Sequence, residues 1–376
     1  MPIKYFKLIF FALIFVSPLA QADLWLAKNS WNSVWEKKYE SWISSSIKED
    51  FFIKGKLATD CADAVIALRT IFARDNQLPI SFHLNDGTIF TQSSTKKWNS
   101  DDSKLNWSDD TQFKKYLEFL LNNTNSSTLI KDAYPISINS QSVRPGVFFI
   151  HDFDKSRHVD IVYKVDWSGR TLPLTMLSST VPAAVRELTT YPFYFTTFPK
   201  KNKSGFMKFR WPNQLEFNFE SNEQFDLINH YPKQSFDSVV AERILSFPLK
   251  GDVKIHQLFY SLIEKVNERK KIAETGFIQC HKLKCPLNSS DYYNYSTPAR
   301  DGNIGYMIFL IDEILNTEGY GEDALSINTI YQEYLALKIP ITSEKSMTLL
   351  DIISIWKTNQ YSSDPNDTLN MRWGIQ

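Results

Sequence analysis

The sequence contains few cysteines, few glycines and no excess of charge of either sign. Only three of its 376 residues are cysteine and 12 are glycine, which excludes a disulfide-dense scaffold and a collagen-like chain. Basic and acidic residues number 42 each, so there is no electrostatic footprint for nucleic acid, and we expect no nucleic-acid partner. Because 43% of the residues are hydrophobic and 14% are aromatic, the chain can bury a large core.

Long hydrophobic runs are also scarce, and the clearest one lies at the N-terminus. Lys4 and Lys7 precede the apolar run 8–16, and the small-residue sequence Ala20-Gln21-Ala22 follows it. This arrangement is typical of a secretory signal peptide, residues 1–22, and the run is too short to span a bilayer comfortably. We therefore predict an exported protein, periplasmic or extracellular, without a transmembrane segment after signal removal.

The three cysteines divide into a pair and a single residue. Cys280 and Cys285 bracket a short loop, and in an oxidising compartment such a pair is expected to form a disulfide. Zinc binding by this pair with His281 and His256 is the alternative, but two cysteines at this spacing do not make a zinc motif. We predict no metal and no cofactor. Cys61 is left as an unpaired thiol.

Cys61 stands at the start of a segment with helical spacing of apolar residues. Thr59 and Asp60 are helix-capping residue types, so Cys61 is expected in the first turn, with Arg69 and Arg74 facing away from the core. Unpaired amides and the helix dipole at that position favour a thiolate over a neutral thiol. Cys61 is therefore a candidate nucleophile, although a lone cysteine among apolar residues is commonly a small core residue.

Two apolar runs further along the chain predict a β-hairpin. The run 143–150 is rich in β-preferring residues, and 158–165 alternates apolar and polar side chains as a half-buried strand does. His158 opens the second strand. His151 is interpreted as a solvated residue of the connecting loop. A third strand is predicted over 172–177.

The order of these motifs resembles the NlpC-type peptidoglycan endopeptidases of the papain-like superfamily. The likeness rests on Asp60-Cys61-Ala62 at a helix start, Arg144-Pro145-Gly146 before an apolar strand, and a strand that opens with His158-Val159-Asp160. It covers residues 59–178 and includes a long insertion at 84–128. A weaker likeness, carried by Asp60-Cys61-Ala62-Asp63 and a later Leu-Pro, connects the chain with bacterial transglutaminase-like cysteine peptidases.

The resemblance implies roles for individual residues. Cys61 would be the nucleophile, His158 the base, and Thr175 on the following strand the group that orients the imidazole. His151 and His83 are the alternatives for the base. Asp166 and Asp160 are the alternatives for that third position. The implied activity is that of an exported thiol hydrolase, which cleaves amide bonds in a peptide or peptidoglycan-like substrate. A non-catalytic binding or scaffold protein and an acyl transferase are the alternative functions.

The predicted fold class is α+β, with a papain-like core of a cysteine-bearing helix packed on an antiparallel sheet. A mostly helical C-terminal domain follows, and its role is open, as is the oligomeric state of the protein. The predicted domains are the signal peptide 1–22, an aromatic helical segment 23–50, the hydrolase domain 51–190 and an aromatic-rich, helical domain 191–376. The predicted helices of the second half span 183–188, 253–275, 303–317, 323–337 and 346–358.

Overall fold

A computed structural model describes most of the chain. The described residues are 24–94, 106–153, 156–166, 172–195, 197–212, 220–232, 234–245, 251–287, 289–317, 319 and 324–375. The predicted signal peptide, part of the predicted insertion (95–105) and most of the predicted turn at 166–170 lie outside the described residues.

Helices and strands both contribute substantially, so the chain is α+β, as the sequence predicts. The helices are α1 (Ser33–Ser46), α2 (Phe51–Gly55), α3 (Cys61–Asp75), α4 (Thr111–Asn122), α5 (Ser126–Lys131), α6 (Leu227–His230), α7 (Phe236–Leu245), α8 (Gly251–Cys280), α9 (Ser290–Tyr295), α10 (Pro298–Thr317), α11 (Ala324–Leu335), α12 (Leu349–Lys357) and α13 (Leu369–Arg372). The strands are β1 (Ser81–His83), β2 (Ile89–Thr91), β3 (Ala133–Pro135), β4 (Phe148–Asp152), β5 (Arg157–Val165), β6 (Leu174–Ser178), β7 (Thr189–Pro192), β8 (Gly205–Phe209), β9 (Lys338–Pro340) and β10 (Ser346–Thr348).

A six-stranded antiparallel sheet forms the centre of the first half. Its strand order is β3-β8-β4-β5-β6-β7. The hairpin β4–β5 pairs Phe148 with Ile161 and His151 with His158. A β-bulge between Val162 and Lys164 shifts the register of β5 against β6. The loop of the β4–β5 hairpin and the start of β5 therefore lie at the same end of the sheet.

Side chains of the sheet alternate between two hydrophobic cores. Val159 and Ile161 pack in the core that contains α3, whereas Val162 and Phe149 belong to a second core on the opposite face. His158 and Asp160 share the register of Val162, so they lie on the second face, close to the end of the sheet where β5 begins.

Helix α3 is buried around its whole circumference, which corrects one prediction. Arg69 and Arg74 do not face solvent; they are 3% and 5% exposed. Arg69 forms a two-pronged ion pair with Glu36 and lies over the ring of Trp31, and Arg74 contacts Asp110 at 2.7 Å. The N-terminal aromatic segment and the insertion helix α4 cover these faces of α3, and their carboxylates neutralise the buried guanidinium groups.

The aromatic segment before α3 is a structural part of this half. The indole N–H groups of Trp25 and Trp31 donate to the carbonyl oxygens of Leu78 and Pro79, each at 2.8 Å. Asn32 caps α1 by accepting from the amides at 34 and 35. These bonds fix the segment against the chain that follows α3.

The second half is mostly helical and has a third core of its own, built mainly from α8, α10, α11 and α12. The predicted helix over 183–188 is absent. Ala184 instead forms an isolated bridge with Thr59, because an extended backbone at this point can pair with the residues that lead into α3. Among the described residues, no helix is long and apolar enough to cross a bilayer.

Candidate active site

Cys61 is the first residue of α3, and a reciprocal capping box holds this helix start. The Asp60 carboxylate accepts from the Asp63 amide, and the Asp63 carboxylate accepts from the Asp60 amide, both at 3.0 Å. The preceding residue, Thr59, pairs with Ala184, and its carbonyl accepts from the Ser179 hydroxyl at 3.0 Å. The loop before the helix is therefore bonded to the chain that leaves β6.

The start of α3 leaves two backbone amides without an intrahelical acceptor. The first amides of a helix have no intrahelical acceptor. The capping box takes up the amide of Asp63, and the Ala64 amide donates to the Asp60 carbonyl, so the amides of Cys61 and Ala62 remain at the helix end. Cys61 itself is a free thiol, 4% exposed.

The structure brings His158 into contact with Cys61. The imidazole forms a hydrogen bond with the Cys61 side chain. Its Nε2 donates to Ser178 Oγ at 2.9 Å and lies 2.9 Å from Asp160 Oδ1. Because Nε2 is engaged with these two groups, Nδ1 is the ring nitrogen left for the sulfur.

Electrostatics keep His158 protonated. Burial lowers the pKa of His158, but the charge of Asp160, the hydrogen bond to Asp160 and the interaction with Cys61 outweigh burial and raise that pKa to about 10. Burial would likewise raise the pKa of Asp160, yet the neighbouring charges of His158 and His151 hold it well below its usual range. The site therefore contains an imidazolium and a carboxylate at neutral pH.

Asp160 serves a second imidazole as well. His151 Nε2 lies 2.5 Å from Asp160 Oδ2. His151 belongs to β4 and is 7% exposed, so its interpretation as a solvated loop residue is wrong. The strand continues past Ile150, and the hairpin register then places the two histidines opposite each other. Burial lowers the pKa of His151, which makes it the neutral member of the pair.

The structure does not bring Thr175 to the imidazole. Thr175 pairs with Lys164, six residues from His158 along β5, which corresponds to about 20 Å. It lines a different cavity, together with Tyr260 of α8. Asp166 follows the far end of β5, about 26 Å from His158 by the same rise per residue. Of the three residues considered for this position, Asp160 is the one beside the ring.

The other sequence candidates lie elsewhere. His83 Nδ1 pairs with Asp132 at 2.5 Å. Cys280 and Cys285 form a disulfide at the end of α8, with their Cα atoms 4.9 Å apart. His256 contacts Tyr334, and in the described part of the chain no group of three or more metal-ligating side chains is suited to hold a metal ion.

Two members of the cluster are not identified by the sequence analysis. These are Ser178 and His151, and the latter is assigned there to a solvated loop. Writing the predicted hairpin out in register would have placed His151 opposite His158. Ser178 lies on the neighbouring strand β6, and no feature of its sequence context distinguishes it from other serines.

A cavity of about 790 Å³ begins at this cluster. His158, Asp160 and Ser178 form part of its wall, and aromatic side chains of 191–195 and residues of α10 form much of the remainder. The cavity is of the size that small organic ligands and side chains occupy.

No protein-family model, no curated protein and no solved structure matches this chain.

Proposed function

We propose that this chain is a thiol hydrolase that cleaves amide bonds, with Cys61 as nucleophile and His158 as general base and acid. The observation that carries the proposal is the contact between the free thiol at a helix start and an imidazole that a buried carboxylate holds protonated. A thiolate and an imidazolium in contact are the reactive form of a nucleophilic cysteine.

The residues support a two-step reaction. The Cys61 sulfur attacks the amide carbonyl carbon, and a C–S bond forms as the carbonyl oxygen takes up negative charge. The C–N bond then breaks, and His158 donates its proton to the departing amine. Water next attacks the thioester, His158 accepts a proton from that water, and the carboxylic acid product leaves the sulfur.

Two features would stabilise the charges of these steps. The amides of Cys61 and Ala62 at the start of α3 are donors for the carbonyl oxygen that becomes negative. Asp160 supplies the negative charge that stabilises the imidazolium, while Ser178 accepts from Nε2 and fixes the ring orientation.

The proposed architecture is papain-like, in the arrangement of the NlpC-type endopeptidases. A cysteine-bearing helix packs on an antiparallel sheet, and the histidine stands at the start of a strand of that sheet. The third group comes from the same strand as the histidine, with Ser178 from the next strand. An exported location, periplasmic or extracellular, and a peptide or cell-wall peptide substrate complete the proposal.

The test is the alkylation of Cys61 by iodoacetamide in the native protein at pH 7. Because Cys280 and Cys285 are disulfide-bonded, one label per chain reports Cys61 alone. We expect His158→Ala to slow alkylation by about tenfold or more, since the imidazolium beside the sulfur is lost. In parallel, the wild type should hydrolyse members of an internally quenched peptide library or cell-wall muropeptides, and Cys61→Ala should not.

His83→Ala is the matched control, because His83 is bonded to Asp132 and not to the thiol. It should label and cleave like the wild type. Equal alkylation rates for wild type and His158→Ala, together with no hydrolysis of any substrate, would contradict the proposal.

A further inference from the structure

A second cavity, narrower than the first, lies beside the reacting groups. Its wall includes Ser178, which accepts from the His158 imidazole. It also includes Ser179, whose hydroxyl donates to the Thr59 carbonyl, close before Cys61 in the chain. The narrow cavity shares part of its wall with the larger one, namely Ser178, Thr180, Thr189 and Ala299. It therefore adjoins both the larger cavity and the chain that leads into the nucleophile.

Two arginines line the narrow cavity, and each contacts another residue of the same wall. The Arg300 side chain, near the start of α10, is 15% exposed and lies 3.6 Å from the Glu187 carboxylate. Arg186 lies over the ring of Tyr293, with 4.9 Å between its Cζ and the ring centroid, and donates to the Pro182 carbonyl. Both guanidinium groups are therefore held at this wall.

The positive charge of the wall is only partly compensated. Glu187 is the single carboxylate among the described wall residues, and its contact with Arg300 at 3.6 Å is longer than a hydrogen bond. Within the described part of the chain, no carboxylate lies within ion-pair distance of Arg186, and its buried Nε has no hydrogen-bond partner. Burial lowers the pKa of Arg186, although the charge of Asp60 opposes this effect. An anion in the cavity would supply the missing partner.

The size of the narrow cavity limits which anion can enter. Its volume is about 30 Å³, and since a water-sized group needs about 10–15 Å³, it holds about two such groups. The two oxygens of a carboxylate have this size, whereas a phosphate group or a sugar ring is larger. A guanidinium group binds a carboxylate through two parallel hydrogen bonds. Asn294 also lines the cavity with a buried amide, and a half-turn of that amide presents its N–H donors.

From this arrangement we infer that Arg186 and Arg300 form a subsite for a carboxylate of the substrate, either the C-terminal carboxylate of a peptide or an acidic side chain close to the scissile amide. The inference rests on the proposed function for its link to cleavage, but carboxylate binding can be measured without cleavage.

Three substitutions change the charge of the wall without adding bulk. Arg186→Gln and Arg300→Gln each remove a positive charge, and Glu187→Gln removes the opposing negative charge. The two kinds of variant have opposite expected effects, so a loss of folding cannot produce both. Arg210→Gln is the matched control, because Arg210 pairs with Glu220 at 3.3 Å and is not part of this wall.

The first measurement is calorimetric binding of three probes to the Cys61→Ala protein. The probes are N-acetyl-trialanine, its C-terminal amide, and the C-terminal amide of N-acetyl-Ala-Glu-Ala. At least one of the two acids should bind about tenfold or more tightly than the neutral amide, the factor that a hydrogen bond between charged groups provides. Tighter binding of N-acetyl-trialanine identifies a C-terminal carboxylate, and tighter binding of the glutamyl probe identifies an acidic side chain.

The charge variants, each added to Cys61→Ala, test whether the arginines cause this preference. Arg186→Gln or Arg300→Gln should reduce the preference for the acid to about twofold or less. Glu187→Gln should increase it by about threefold, and Arg210→Gln should leave it unchanged. Equal binding of the acids and the neutral amide overturns the subsite. A preference for the acid that both arginine variants retain overturns it as well.

The second measurement is cleavage, by the protein with Cys61 intact, of peptide pairs that differ only in a carboxylate or its amide at these positions. Preferential cleavage of the acid, lost in Arg300→Gln, supports the subsite. Cleavage of both members at equal rates overturns the subsite and leaves the hydrolase proposal standing. Acid-selective binding to Cys61→Ala without any cleavage by the wild type supports the subsite and contradicts the hydrolase proposal.

Discussion

At the scale of single residues, the site depends on one buried carboxylate shared by two imidazoles. Asp160 is fully buried and contacts His158 and His151 through different oxygens. Its charge raises the pKa of His158, whereas His151 stays neutral because burial dominates there. The same carboxylate thus contacts a charged imidazole, that of His158 beside the thiol, and a neutral imidazole, that of His151 in the cavity wall.

We predict that Asp160→Asn changes the pH dependence of Cys61 alkylation. In the wild type the pKa of His158 is about 10, so the imidazolium persists and its contribution to the alkylation rate should stay constant between pH 6 and pH 8.5. Without the charge of Asp160, that pKa falls, and the imidazolium is lost as the pH rises through the neutral range. The measurement is the rate of iodoacetamide labelling across this range, relative to His158→Ala at each pH.

Ser178→Ala is the matched control for this prediction. It removes the hydrogen bond to Nε2 but not the neighbouring charge. The rate should fall only about fivefold, the effect of one hydrogen bond of about 1 kcal/mol, with the same pH dependence as the wild type. Identical pH profiles for Asp160→Asn and Ser178→Ala would show that charge is not what holds the imidazolium.

Sequence reasoning reaches part of this cluster for a physical reason. Cys61 and His158 each open an element with a clear local pattern, a capped helix and an alternating strand. Asp160 is within reach too, because residues two apart on a strand share a face. The position of Thr175 depends on how β6 pairs with β5, which places Thr175 opposite Lys164, and the alternation within one strand does not specify that pairing.

At the scale of elements, the start of α3 combines the proposed nucleophile with a titratable cap. Burial raises the pKa of Asp63 to about 7, and the neighbouring charge of Asp60 contributes to this increase. The folded state therefore binds a proton at Asp63 more tightly than the unfolded chain does. The stability from this group is present at low pH and is lost as the pH rises through about 7.

We predict that Asp63→Asn is more stable relative to wild type at pH 8 than at pH 5.5. Asparagine keeps an acceptor for the Asp60 amide but carries no charge, so it avoids the cost of ionising a buried carboxyl group. The difference in unfolding free energy between the two proteins should grow by about 1–2 kcal/mol over this pH interval. Urea unfolding at the two pH values measures it.

The capping box of α12 provides the comparison for this prediction. Thr348 and Asp351 form the same pair of bonds in an exposed position. Asp351→Asn is the matched control, because it makes the same substitution in a capping box whose carboxylate is exposed. A difference that does not grow with pH for Asp63→Asn would mean that its carboxyl group is ionised at little cost.

The element level also shows where local patterns are reliable. The capped helix, the hairpin and the long helices of the second half follow from spacing and capping residues, which act within one or two turns of chain. Local patterns do not reveal that 183–188 forms no helix, because the bridge between Thr59 and Ala184 joins residues far apart in sequence. The buried positions of Arg69 and Arg74 likewise depend on segments that pack from elsewhere.

At the scale of the whole molecule, the helical half docks against the sheet at its edge strand β7 and the chain that follows. Lys265 of α8 donates to the Thr190 carbonyl at 2.5 Å. The Tyr194 hydroxyl donates to Asn303 of α10 at 2.5 Å, and its ring stacks on Tyr306 at 4.0 Å. These contacts cover an otherwise open sheet edge and close one wall of the cavity. The thiol, imidazole and carboxylate themselves all come from the first half.

This division predicts that Tyr306→Ala lowers the stability of the protein without changing thiol reactivity. Loss of the stacked ring should destabilise the protein by about 1–3 kcal/mol, as measured by urea unfolding. The rate of Cys61 alkylation should stay within about twofold of wild type, since α3, β5 and β6 hold the thiol, the imidazole and the carboxylate. Phe309→Ala, on the same helix with a side chain that is half exposed, should have a smaller effect on stability. A large drop in alkylation for Tyr306→Ala would instead mean that docking of the helical half orders the thiol and the imidazole.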